Sequence, residues 1–165
     1  WNALRLGYLQ DVSSDHCTFE FNGRKLENKD DFRKVVNGGP GIEAILGIVH
    51  NEGVNKGRIS LNQMVALVST NAAKIHGLYP QKGTIAVGGD ADIVIFDPNK
   101  DVVISQSNMH HACDYTIFEG HEVKGWPVMT ISRGEVICKD GKVTAKPGRG
   151  KFVARKPIDN NLLLA

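Results

Sequence analysis

Ser60-Leu61-Asn62-Gln63-Met64-Val65-Ala66-Leu67-Val68-Ser69-Thr70-Asn71-Ala72-Ala73-Lys74-Ile75-His76-Gly77 is the stretch on which the reading of this chain turns. Ser60 and Gln63 stand in capping-box spacing. Leu61, Met64, Val65, Val68, Ala72 and Ile75 then trace one apolar face at the helical period, and Gly77 stops it. Beyond Pro80 the period changes to two, or to short apolar runs: Thr84 to Val87, Ala91 to Phe96, Val102 to Ile104, Tyr115 to Phe118, Val128 to Ser132 and Glu135 to Cys138. Gly88-Gly89-Asp90, Arg133-Gly134 and Asp140-Gly141 punctuate them, which predicts an antiparallel sheet or half of a sandwich. The chain therefore divides near residue 79 into an α/β segment, 1–79, and an all-β segment, 80–145.

Upstream, Trp1 and Leu4 lie on a helical period closed by Gly7, and Leu9 to Ser13 reads as a short buried strand. Ser14-Asp15-His16-Cys17 ends that strand and leads into a polar loop through Lys29. After Pro40, Ile42, Ile45, Leu46 and Val49 recur at helical offsets, with Gly53 placed to end the helix. The stretch from Lys146 to Ala165 reads as a tail that docks through Leu162 to Leu164, another subunit being one surface it would fit.

Composition narrows the function classes. Apolar residues at 41% and charged residues at 23% fit a globular protein rather than a disordered one. A net charge of +2, with both signs interspersed, gives no footprint for nucleic acid or for a membrane surface. Cys17, Cys113 and Cys138 form an odd set without close spacing, against a disulfide framework or a structural zinc cluster and in favour of a reducing, cytoplasmic compartment. No apolar run is long enough to span a membrane and no signal peptide is visible. Ordered-looking sequence begins at Trp1, so the chain is expected to be a piece of a longer protein.

Asp15 stands at the C-terminal end of a strand in an α/β unit, where barrel enzymes present catalytic groups, although a strand-end Asp is more often a loop cap. His16 and Cys17 follow it directly. Neighbouring strand residues point to opposite faces, so the three side chains are not expected to share one ion. Asn37-Gly38-Gly39-Pro40-Gly41 opens the next helix with pliant backbone that lets main-chain groups approach a ligand; it lacks the spacing and the lysine of a phosphate loop. His110-His111 is expected at a surface or subunit contact. Asp90 and Asp92 are accounted for by hydrogen bonds to nearby backbone.

Read as a series, Val12-Ser13-Ser14-Asp15-His16-Cys17-Thr18-Phe19, Asn37-Gly38-Gly39-Pro40, Glu52-Gly53-Val54 through Gly57-Arg58-Ile59-Ser60-Leu61-Asn62-Gln63, and Ser69-Thr70-Asn71-Ala72-Ala73-Lys74 resembles the dihydropyrimidinases and D-hydantoinases of the amidohydrolase superfamily. Lys82-Gly83-Thr84-Ile85, Gly89-Asp90-Ala91-Asp92-Ile93-Val94-Ile95-Phe96-Asp97-Pro98, Phe118-Glu119-Gly120 and Gly148-Arg149-Gly150-Lys151-Phe152 extend the likeness almost to the end. The Gly-Asp-Ala-Asp run alone is common to the wider superfamily; the whole series is specific.

The resemblance implies the last part of a (β/α)8 TIM barrel followed by C-terminal strands of a β-sandwich domain. It implies hydrolysis of the cyclic amide of 5,6-dihydropyrimidines or hydantoins at a two-zinc centre, in a cytoplasmic homotetramer. By the same resemblance Asp15 binds one metal and handles the proton, and Asn37 contacts the cyclic imide through its backbone. The other family ligands, a His-x-His pair, a carboxylated lysine and two histidines, belong upstream, so the chain alone is expected to be inactive. Ala44-Ile45 replaces an arginine usual after Glu43, which removes a local salt bridge. A non-catalytic scaffold like the collapsin response mediator proteins is the competing expectation, and Asp15 speaks against it.

Overall fold

The structure is a computed structural model and describes residues 1–158; Leu162 to Leu164 of the expected docking tail lie outside the described residues. Two long helical stretches follow an irregular N-terminal section. The first, 42–55, passes from a 3-10 turn at Ile42–Ala44 through Ile45–Val49 into a wide turn at His50–Asn55. The second runs over 61–75 and begins at the capping box expected for Ser60 and Gln63. Ser60 Oγ accepts from the Gln63 amide at 3.1 Å and Gln63 Oε1 from the Ser60 amide at 2.9 Å, which satisfies two amides a helix start leaves open.

The sheet that follows has four antiparallel strands in the order β1 (Ile93–Val103), β2 (Glu122–Ser132), β3 (Glu135–Lys139) and β4 (Lys142–Val143). Ile93 pairs with Ile131 and Val103 with Glu122, with irregularities at Ile95/Phe96 and between Asp97 and Asp101. Arg133-Gly134 and Asp140-Gly141 each have positive φ at both positions, the backbone that two-residue hairpins require.

Helix 42–55 is packed on both sides. One side carries Val49 into a cluster with Ile59, Met64 and Leu67; the other carries Ala44 into a cluster with Ile104 and Val123, flanked by Trp126. Gly47 permits the second contact, since a Cβ there would lie 2.5 Å from the Trp126 ring. Buried His50 donates from Nδ1 to the Lys124 carbonyl at 2.8 Å, and Asn55 Nδ2 reaches the same oxygen at 2.8 Å. Asn51 Oδ1 accepts the Lys124 amide at 3.1 Å. The backbone of one β2 residue, Lys124, is thus held on both its N–H and its C=O by three side chains of the helix.

Several expectations are corrected. Leu9 to Ser13 forms no strand: the Val12 amide donates to the Leu67 carbonyl, Asn71 Nδ2 donates to the Gln10 carbonyl, and a parallel bridge joins His16 to Gly39, but among the described residues no strand lies beside Leu9 to Ser13. The polar loop contains helical turns at Phe21–Lys25 and Leu26–Asn28. Gly53 does not end its helix; the stop is Gly57, with φ of +66°, and Gly53 is instead small because a Cβ would press into Trp1 and Ile59. In helix 61–75, Leu61 and Val65 are exposed whereas Leu67 and Ala73 are buried, since the wide turn at Ala66–Thr70 shifts the phase of the apolar face. Thr84 to Val87 and Tyr115 to Phe118 pair with no strand among the described residues, and Val87 is fully exposed. Ala91 to Phe96 and Val102 to Ile104 contribute to one strand, not two, because β2 runs alongside both. Asp90 and Asp92 form an ion cluster with Lys82, a partner the turn reading lacked, while Asp92 also accepts the Arg133 amide at 2.7 Å.

His110 straps the 105–111 turn to its surroundings. Its Nδ1 lies 2.5 Å from Glu43 Oε1 and its Nε2 2.7 Å from the Gly141 carbonyl. Both partners only accept, so both ring nitrogens carry hydrogen. The Glu43 hydrogen bond, the Gly141 carbonyl and the Glu43 charge together raise the imidazole pKa. His111 turns the other way, with both ring nitrogens buried and unpartnered among the described residues.

Two outcomes follow for stability. Gly125→Ala, whose Cβ would collide with the His50 ring at a φ of +106°, costs about 2 kcal/mol or more in urea unfolding; an unchanged midpoint would show that helix 42–55 is not seated on β2 this way. A folded pKa raised above the unfolded one stabilises at low pH and loses that contribution as pH rises through the folded value. The stability difference between wild type and His110→Gln is therefore widest below about pH 6.5 and closes at higher pH; a difference that grows with pH would contradict the strap.

Candidate functional site

Asp15 closes the irregular section in a left-handed conformation, φ +47°, with its side chain exposed. A non-glycine residue in that region costs of order 1 kcal/mol and persists only where its surroundings fix it. Here they do. The Asp15 carbonyl accepts the Gly39 amide at 3.4 Å and the Cys17 amide donates to the Gly39 carbonyl at 3.3 Å, so Gly39 is bracketed from both sides. Gly38, φ +72°, lies so close that a Cβ would stand 2.5 Å from the Asp15 carbonyl and 2.7 Å from Cys17 Sγ. The pliant backbone expected of this loop is a geometric requirement of the approach.

The His16 ring turns away from Asp15 toward the start of helix 42–55. Its Nδ1 accepts the Gly41 amide at 3.3 Å and the Ile42 amide at 3.4 Å, which fixes the neutral ring with hydrogen on Nε2. Cys17 lies behind the loop near buried Cys113, whose Sγ is 3.9 Å from the Cys17 carbonyl. Burial and then the Asp114 charge push the Cys113 thiol pKa up, so it is an inert thiol. The three residues of the Asp15-His16-Cys17 run therefore point to three different surroundings.

Asn37 stands exposed beside this knot, and among the described residues neither its backbone nor its side chain has an internal partner. Its two neighbours are held. Lys25, half-buried on the 21–25 turn, donates from Nζ to the Val36 carbonyl at 2.9 Å and to the Gly38 carbonyl at 2.8 Å. That turn is anchored by Asp114, whose carboxylate accepts the Phe21 amide at 2.7 Å and the Asn22 amide at 3.0 Å. These bonds, that of Asn22 foremost, hold the Asp114 carboxyl below the usual carboxylate range. Phe21 packs on Tyr115 at 5.6 Å between ring centroids, and burial raises the Tyr115 phenol pKa. Asp15 and Asn37, the two candidates from the sequence, thus lie side by side, and Lys25, Asp114 and the acceptor role of His16 are contacts that only the structure shows. A lysine in a polar loop and an aspartate some ninety residues on carry no periodic signal that links them.

Among the described residues no group of three His, Cys, Asp or Glu side chains could hold a metal ion. Asp15 offers one exposed carboxylate, an oxygen donor of the kind divalent ions accept, and the described residues do not supply the donors of a whole binuclear site.

The amidohydrolase family model matches residues 13–137, more than half of the chain. A D-hydantoinase of Ralstonia pickettii is 53% identical over 156 residues, 94% of this chain and 34% of that protein. A dihydropyrimidinase of Rattus norvegicus is 46% identical over 157 residues, 95% of this chain and 30% of that protein. The D-hydantoinase structure from Bacillus sp. AR9 superposes with a TM-score of 0.93 at 49% identity, covering 96% of this chain and 35% of that one. The chain thus spans about a third of the length of the curated relatives it matches. With the family motif series, the matched span and the shared backbone in agreement, the chain belongs to the amidohydrolase family, and hydantoinases and dihydropyrimidinases are among the proteins it is similar to.

Proposed function

We propose that this chain is the part of a full-length cyclic-amide hydrolase that delivers one carboxylate and one substrate-reading backbone segment to the active site. The observation that carries the reading is the pairing of an exposed carboxylate at a left-handed tip, Asp15, with the unpartnered backbone of Asn37, the two held together through Gly38 and Gly39. A cyclic imide presents C=O and N–H groups on its ring edge. An open backbone N–H and C=O is their complement, whereas a side chain such as lysine offers donors only.

In this reading the reaction is hydrolysis of the ring amide of a 5,6-dihydropyrimidine or a hydantoin, giving an N-carbamoyl amino acid. Two zinc ions, held with ligands from outside this chain and with Asp15 as one ligand, supply an acidified water and polarise the ring carbonyl when bound. Asp15 takes the proton of the attacking water and returns it to the leaving ring nitrogen as the C–N bond breaks. Asn37 keeps the ring oriented through both steps. In this reading the 165-residue chain alone is inactive, because among the described residues no group of three His, Cys, Asp or Glu side chains could hold a metal ion. Residues 1–79 complete a barrel, 80–145 part of a β-sandwich, and the assembly is a cytoplasmic homotetramer in which the 146–165 tail meets another subunit.

Asp15→Asn in the full-length protein lowers the ring-opening rate by about 10²-fold to 10⁴-fold on dihydrouracil or hydantoin, with a loss of bound zinc measured by elemental analysis. Full activity of Asp15→Ala in the same assay would refute the assignment.

A further inference from the structure

We propose that Lys25 is a positioning residue for substrate recognition: its ammonium pins the peptides on either side of Asn37 and so aims the Asn37 backbone at the ring. The inference rests on the reading of Asn37 as the imide contact given above.

Covalent geometry makes the consequence specific. In a trans peptide the C=O and the following N–H point in opposite directions in one plane. Binding the Val36 carbonyl to Lys25 Nζ at 2.9 Å therefore turns the Asn37 N–H away from the lysine. Binding the Gly38 carbonyl to the same nitrogen at 2.8 Å turns the Gly39 N–H away as well, and that N–H is the one donated to the Asp15 carbonyl. The peptide between them, which carries the Asn37 carbonyl, is fixed from both ends. One ammonium thereby sets the direction of the free donor and acceptor of Asn37 and ties their plane to the Asp15 tip.

The lysine itself is not free to wander. The turn that carries it, Phe21–Lys25, includes non-helical backbone at Asn22 and Gly23 and would be loose on its own. Asp114 clamps its first two amides, and Phe21 rests on Tyr115. A chain of contacts leads from Asp114 through the 21–25 turn to Lys25 and from there to Asn37. No part of it touches the Asp15 carboxylate, so its loss affects binding more than proton transfer.

The test is steady-state kinetics of the zinc-loaded full-length protein on dihydrouracil and hydantoin. Lys25→Met keeps the length of the side chain and removes its donors; KM rises by about tenfold or more while kcat stays within about threefold. Bound zinc is unchanged. Lys25→Arg, which can still donate to both carbonyls, restores KM to within about threefold of wild type. Lys25→Gln, with a neutral amide donor, falls between them and is the variant read if Lys25→Met does not fold. KM within about twofold of wild type in the folded variants, or a loss of kcat with KM unchanged, overturns the proposal. Asp15→Asn in the same protein separates the two readings. If it keeps full activity, the hydrolase role of these residues fails whatever Lys25 does; if it is inactive while Lys25→Met behaves as wild type, only the clamp fails.

Discussion

Helix 42–55 has to satisfy two cores at once, and the remaining structure is arranged around that demand. Its Val49 side closes against the 61–75 helix and its Ala44 side against β2 and Ile104. Contact on the second side is close enough to require Gly47 under the Trp126 ring and Gly125 under the His50 ring. Interiors pack near crystal density, so a methyl group at either position has nowhere to go. The polar bonds from His50, Asn51 and Asn55 to the backbone of Lys124 on β2 then fix the register of helix on sheet.

The start of the same helix positions the site. Gly41 and Ile42 offer their amides to His16, and the loop just before them carries Gly38 and Gly39 against the backbone of Asp15 and Cys17. A carboxylate at a strained tip and an open backbone segment are thereby anchored to a helix seated on two cores. Side chains that do not touch the site complete its support: Lys25 on the carbonyls flanking Asn37, Asp114 on the turn that bears Lys25. Charge-assisted bonds of this kind hold short loops well because each replaces several rotatable degrees of freedom.

Large apolar side chains stand in solvent on several faces, including Phe32, Ile85, Val87 and Phe152. Single exposed apolar residues are ordinary on a protein surface, and this chain spans about a third of the length of its curated relatives.

Features that obey local rules are legible in the residues alone: the capping box at Ser60, the two-residue hairpin turns at Arg133-Gly134 and Asp140-Gly141, the change of period beyond Pro80, and the motif series that carries the family. Asp15 and Asn37 were legible as candidates for the same reason, since each stands at a position defined by its immediate neighbours. Packing between distant segments settles which glycines end helices and which yield to a neighbour, as with Gly57 and Gly53, and which apolar runs become strands. Leu9 to Ser13 and Thr84 to Val87 have strand composition but no strand beside them among the described residues, and a ladder is a property of two segments rather than one. Lys25 and Asp114 find their partners for a like reason: a cation and two carbonyls, or a carboxylate and two amides, meet through folding, and no spacing in the sequence encodes that meeting.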